Sequence, residues 1–351
     1  MEDGAARRDL PDEAAHETVR ERGWGRVTLV LVLFLIVPIS PLRLLLPVEN
    51  MLLLLVPAFA VCTIVGWMRG GRLGLMLLWV AVAVSVMLPL MASGVDRIEM
   101  LAAGWSLFVA AAFGASALFP SPDAPRPFLP RAVGAIGVTL ALAGSVAFAV
   151  PDGAPRLTQA ITGAFDRRAT ETIQNWHASQ GSPEMKDFIA ANPEWMTIMQ
   201  DGERQLPILA RRGGQLYPAM LALESLIALA LAWALYHRLA RVRIGPPLLR
   251  VRAFRFNDQW VWGFIAGLLL VLLPGFAPLQ LLGYNLLLFF GALYAARGFG
   301  VLVWILAPGK IVTILLTLFA AFFWYLVGPL ALGLGVGDTW LDWRNRAGQK
   351  S

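Results

Sequence analysis

The sequence predicts an all-α polytopic transmembrane helix bundle of about nine spans, with one long, partly helical extracytoplasmic loop. Three observations lead there. The 351 residues are 58% hydrophobic and 15% charged, against about half and roughly a quarter in ordinary soluble domains, and mean hydropathy is +0.64. Apolar runs near the ~20 residues that cross a bilayer recur along most of the chain, which leaves no room for a large soluble catalytic domain. With one exception the separators are short, so neighbouring helices are expected to pack antiparallel.

Residues 1–26 read as a cytoplasmic tail, because this polar stretch carries Arg7, Arg8 and Arg20 and no small-residue cleavage site precedes the first apolar run. Residues 27–150 hold spans one to five. Val27 to Trp67 is broken by Pro38, Pro41, Arg43 and Pro47, which fits two short spans joined by a Pro-rich reversal. Leu73 to Met91, Met100 to Phe119 and Ala132 to Val150 follow. In span five Gly137, Ala141 and Ser145 make a small-residue stripe of the kind that lets another helix approach closely.

Residues 151–216 are the one long polar interruption, with 7 basic and 8 acidic side chains. Leu157, Ile161, Phe165, Ile173 and Trp176 recur at helical spacing on one side. Ser182-Pro183-Glu184 and Asn192-Pro193-Glu194 each write a helix first turn, so about three short helices are expected. Two readings stay open for them, a membrane-surface spacer and a lid over a substrate entrance.

Residues 217–334 hold spans six to nine: Tyr217 to Tyr236, Trp260 to Pro274, Leu281 to Leu306 and Ile311 to Leu334. Between the first two lies a basic loop, 237–258, in which Arg238, Arg241, Arg243, Arg250, Arg252 and Arg255 precede any acid until Asp258. Residues 335–351 form a C-terminal tail. With the N-terminus inside, inner segments collect 16 basic residues while the short outer loops hold Arg43 and Arg97, which satisfies the positive-inside rule and places the chain in the cytoplasmic (inner) membrane. Nine spans would put Arg344, Arg346 and Lys350 outside. That basic tail, with Trp340 and Trp343, reads more naturally as an inner interfacial segment, as an even span count would allow. Trp260 and Trp262 look like interface anchors too.

Few groups inside the spans can do chemistry. Glu224 and Arg297 are ionisable and deep, at levels about 5 Å apart, and each costs a few kcal/mol there unless paired or hydrated. The expectation is that they pair, either as a structural ion pair or as a polar floor beneath a substrate or proton path, with snorkelling of Arg297 as the other option. Asn285 is placed to hydrogen-bond a neighbouring helix. The basic loop suits anionic lipid headgroups or an acidic protein partner, or serves topology alone. One cysteine, Cys62, and three scattered histidines exclude a disulfide framework, a CxxC pair and a thiolate zinc cluster and argue against a metal site. No P-loop, HExxH or GxSxG occurs. Enzyme chemistry, a cofactor and nucleic-acid binding are therefore not expected; the bilayer is the certain partner, and a small-molecule ligand remains open.

LPILARR, RAFRFNDQWVWG, GYNLLLFFGALYAARGFGVLVWIL and LGLGVGDTWLDWR resemble the YybS-like family of predicted bacterial membrane proteins with a domain of unknown function. The resemblance covers about residues 205 to 346, and more loosely Val27 to Leu75. It places Asn285 and Gly298 on the family's Asn and Gly of the penultimate span, and Gly335, Asp338, Asp342 and Arg344 on its closing glycine, acids and arginine. Arg297 departs from the neutral polar residue expected before that glycine. The family is distantly similar to the S components of energy-coupling-factor vitamin transporters, which implies a small molecule bound between helices near the outer face. The Ala-x-x-x-Ala docking stripe of S components is missing from VTLVLVLFLIVPIS, so a shared ATPase module is not implied. The function expected is transporter-like binding of a small solute within the bundle; the rival is a non-transporting scaffold or regulator that docks a partner through its Arg-rich loop.

Overall fold

The computed structural model describes residues 48–92, 97–119, 127–307 and 309–344. Among them there is no strand. The helices are α1 (Val48–Met68), α2 (Leu73–Leu90), α3 (Arg97–Leu118), α4 (Phe128–Ala149), α5 (Gly153–Gln180), α6 (Pro183–Ala191), α7 (Glu194–Leu239), α8 (Val261–Leu272), α9 (Gln280–Leu306), α10 (Lys310–Phe322) and α11 (Trp324–Leu341).

Five helices, α2, α3, α4, α7 and α9, are long and apolar enough to cross a membrane. A sixth crossing arises if α10 and α11, bent by 107° at their junction, count as one. The chain is a multi-pass membrane protein. Four of the nine expected spans are not among these five helices. The first of the two expected in Val27 to Trp67 lies outside the described residues, and the second becomes α1, whose apolar part, Leu53–Met68, is short of a crossing. Span seven becomes α8, whose 12 residues reach about 18 Å before Pro274 and Pro278 impose a 3₁₀ stretch over Pro274–Leu279. Span nine is broken at Phe323, whose backbone leaves helical geometry (φ −104°, ψ 37°).

α7 organises the molecule. Its 46 residues extend about 69 Å and run without a break through residues 216 and 217, where the sequence reading ended a loop and began a span. The C-terminal half of α7 packs against α1, α3 and α4 in one core built from Phe59, Phe113, Ala132, Ile136, Leu229 and Trp233. Small residues on α7, Ala228 and Ala232 among them, are fully buried and let these helices close in. The N-terminal half packs on α5 around Phe165, Ala169, Leu206 and Ala210, with Ile161, Ile173 and Trp176 beside them. α6 starts at Pro183, capped by the Ser182 hydroxyl, which accepts from the Met185 amide at 3.3 Å. On its other side α7 meets α9, which also packs against α8 and α11.

The small stripe of α4 does not pack as expected. Gly137, Ala141 and Ser145 are exposed, while Ala132, Ala135, Ile136 and Thr139 form the buried face.

α9 and α11 approach each other backbone to backbone. A Cβ built on Gly298 would collide with the Ala331 carbonyl oxygen, and one on Gly335 with that of Tyr294. Only glycine at both positions lets the backbones touch.

Candidate functional site

Arg297 does not pair with Glu224. Its side chain is 3% exposed, and its Nε donates to Asp338 Oδ2 at 3.0 Å while Nη1 donates to Asp258 Oδ1 at 2.6 Å. Asp338, fully buried on α11, also accepts from Arg344 Nη2 at 2.6 Å. Arg255 reaches Asp342 at 2.7 Å and stands 4.0 Å from Asp338. Three guanidinium groups and three carboxylates thus balance in one cluster. The face of Phe256 closes it, its ring centre 5.5 Å from the Arg297 guanidinium carbon. The cluster ties α9, α11 and the start of α8 to the basic loop. Arg297, Asp338 and Arg344 are buried, and burying charges is repaid only when they are paired, so the site reads as a structural lock.

The expected basic loop is a folded plug, not a free arm. Its backbone carbonyls accept from side chains all around it: Trp233 Nε1 donates to Pro246 O at 3.0 Å, Tyr236 Oη to Val242 O at 2.8 Å, Arg69 Nη1 to Ile244 O at 3.1 Å, and Arg344 Nη1 to Arg252 O and Phe254 O at 3.2 Å. His237 bridges Trp233 O and Gly245 O, each at 2.9 Å. Ile244 is completely buried beneath the loop. Of the six loop arginines, Arg238 donates to Ala234 O at 2.8 Å and Arg255 joins the cluster. Arg243 is half-buried and has a partner. Arg241, Arg250 and Arg252 are exposed.

Asn285 contacts a neighbouring helix, as expected, and the detail is informative. Its Oδ1 accepts from the Ala219 amide at 3.0 Å and its Nδ2 donates to Gln215 O at 3.0 Å. Those are the two groups that an undisturbed α-helix bonds to each other. Pro218, inside α7, lacks an N–H and crowds the preceding turn; the Asn285 amide spans the place where α7 is disturbed. Asn285 and Arg297 are 12 residues apart on α9, about 18 Å along its axis, so they belong to different layers.

Glu224 stands apart from both. It is 5% exposed, lies on the membrane-spanning half of α7, and neither carboxylate oxygen has a hydrogen-bond partner among the described residues. Around it are polar groups the sequence reading did not single out. Ser225 is buried and accepts from Trp105 Nε1 of α3 at 2.9 Å, and Tyr217 lies two turns back on α7. Arg168 of α5 exerts an attractive charge on Glu224. Helical phase alone would have found Tyr217; Trp105 and Arg168 needed the tertiary packing. A cavity of about 10 Å³, room for about one water, lies elsewhere, between α1, α2 and the loop, where Thr63, Trp67, Arg72, Tyr236 and Arg241 line it. Among the described residues no group of three or more His, Cys, Asp or Glu side chains is placed to hold a metal ion.

Residues 203–339, less than half of the chain, match the model of a family described as Predicted membrane protein (DUF2232). The matched stretch contains Glu224, Asn285, Arg297 and Asp338 and stops short of Asp342 and Arg344. Searches of the curated proteins and of the solved structures found no match.

Proposed function

We propose that the protein is a transporter-like component of the cytoplasmic membrane that binds a small solute within its helix bundle, at Glu224. The observation that carries this reading is a carboxylate that is 5% exposed and, among the described residues, without a hydrogen-bond partner in the middle of a membrane-crossing helix. An intramembrane ionisable group costs a few kcal/mol, is normally paired, and marks substrate or proton pathways. Arg297 shows the paired case in the same chain. Without a hydrogen-bond partner among the described residues, Glu224 is open to a partner from outside the chain, and its chemistry favours a small cationic solute or a proton. The distant similarity of YybS-like proteins to vitamin-transporter S components supports the same reading, with the solute entering from the outer face beneath α5 and α6. On this reading residues 237–258 face the cytoplasm and α5 and α6 the opposite side. A scaffold that docks a partner through the basic loop has no use for Glu224, and three of its six arginines already have partners within the chain.

The test is ligand-dependent stability of the detergent-solubilised protein against a panel of amines, monovalent cations and cationic metabolites. A ligand that binds only the folded form raises its unfolding temperature. The expected result is a shift in the wild type that Glu224→Gln abolishes; shifts of equal size in both proteins, or none from any cationic member, would contradict the proposal.

A further inference from the structure

We propose that the loop between α7 and α8 is a built site for anionic lipid, in which Arg241, Arg250 and Arg252 hold the phosphates of the headgroups while Leu249 and Val251 dip toward the acyl chains. The fold separates these residues from the rest of the loop. Arg238 and Arg255 are bound to Ala234 O and Asp342, and Arg243 has a partner of its own. The other three arginines are exposed, and so are Leu249 at 55% and Val251 at 41%.

These side chains project from a pinned backbone. Arg344 holds the carbonyls of Arg252 and Phe254, and the Val251–Ala253 turn lies directly on α9, where a Cβ on Gly300 would come within 2.5 Å of Val251 O. A surface presented this way loses little freedom when it binds.

The level of the loop is marked independently. The Arg297, Asp258, Asp338 and Asp342 cluster brings the loop, the start of α8 and the end of α11 to the same end of the bundle, where Trp262 is 68% and Trp340 is 60% exposed. Exposed tryptophans sit at the boundary between headgroups and acyl chains. Apolar and cationic side chains alternating at that boundary suit a lipid, whose phosphate and chain they meet together, better than an acidic protein, which would leave Leu249 and Val251 without a counterpart. From His237 to Asn257 the sequence has no acid to oppose the charge. Each arginine near an anionic membrane surface is worth roughly five-fold in affinity, so three together give on the order of a hundred-fold.

The experiment counts lipids retained by the full-length protein in native mass spectrometry, with phosphatidylglycerol or phosphatidylcholine titrated into the detergent and inorganic phosphate or an acidic peptide in separate arms. The wild type should retain phosphatidylglycerol preferentially. Changing Arg241, Arg250 and Arg252 together to Gln should lower that retention at least ten-fold with no change of unfolding temperature in lipid-free detergent, and changing all three to Lys should preserve most of it. Equal retention by the Gln variant overturns the proposal, as does displacement of the lipid by inorganic phosphate at similar concentration or binding of the acidic peptide in preference to phosphatidylglycerol. If the triple Gln variant does not fold, Leu249→Ser with Val251→Ser tests the apolar half, and unchanged retention there overturns the proposal equally.

Discussion

Arg297 of α9 and Asp338 of α11 form a buried ion pair, Nε to Oδ2 at 3.0 Å, beside the point where Gly298 and Gly335 let the two helix backbones touch. The glycines set the distance between the helices, and the charges fix their register. A slip of one residue would move Asp338 about 100° around its helix and break the pair.

Removing one member of that pair strands a buried charge. Arg297→Ala or Asp338→Ala should each destabilise the protein by about 3–5 kcal/mol, and the double variant by clearly less than the sum. The same cycle run on Arg297 and Glu224 should be additive to within about 0.5 kcal/mol. Reversible unfolding in detergent measures both; coupling in the second cycle would restore the pairing that the sequence suggests.

Steric control of the α9 and α11 contact is tested by alanine. Gly298→Ala and Gly335→Ala should each cost about 1–3 kcal/mol, because the new methyl group has to push a backbone carbonyl away. Gly333→Ala, two residues from Gly335 with nothing within 4 Å of its added Cβ, should be neutral or slightly stabilising through helix propensity. Equal effects at 333 and 335 would show that the close contact is not formed.

Asn285 repairs α7 at Pro218. Asn285→Ala leaves the Ala219 amide and the Gln215 carbonyl without it, at about 1–3 kcal/mol for the pair. Hydrogen exchange should quicken at Ala219 and its neighbours and leave the Trp233 turn as slow as in the wild type. Asn285→Asp keeps the acceptor for Ala219 and loses the donor to Gln215, so it should rescue little. Exchange at Ala219 that stays unchanged in both variants would mean that α7 closes the gap by itself.

Much of this was legible in the sequence, and the failures have physical causes. Apolar runs located α2, α3, α4 and α9 within a few residues, because each is predominantly apolar between polar separators. α7 starts at Glu194 without a side-chain cap, because the Asn192 side-chain amide donates to Phe188 O at 2.9 Å instead; the Ser182 cap followed from local hydrogen bonding. The fusion of a polar segment and a span into one 46-residue helix did not, since hydropathy changes near residue 217 while backbone geometry does not. Arg297 was recognisable as costly, but its partners lie 39 and 41 residues away in sequence, in a loop and a later helix whose depth depends on the break at Phe323. Glu224 was equally visible; that it has no hydrogen-bond partner among the described residues is a matter of tertiary packing.

Sidedness can be tested without reference to any ligand. With Cys62 replaced, single cysteines at Ser179 on α5 and at Arg243 in the loop should react with an impermeant thiol reagent from opposite faces of the membrane, Ser179 from outside and Arg243 from the cytoplasm. Reaction of both from one face would invert one half of the topology and remove the outer route to Glu224.

The central claim, that Glu224 is a solute site inside the membrane, is tested most directly by reaching it. In the same Cys62-free background, Glu224→Cys should react with a small, charged, membrane-impermeant thiol reagent applied from the side of α5 and α6. Leu229→Cys, one and a half turns further along α7 and fully buried in the core, should stay unreactive. A Glu224→Cys protein that is properly inserted but as inert as Leu229→Cys from both sides would contradict the account, because a carboxylate that no water or solute can reach is neither a binding site nor part of a path.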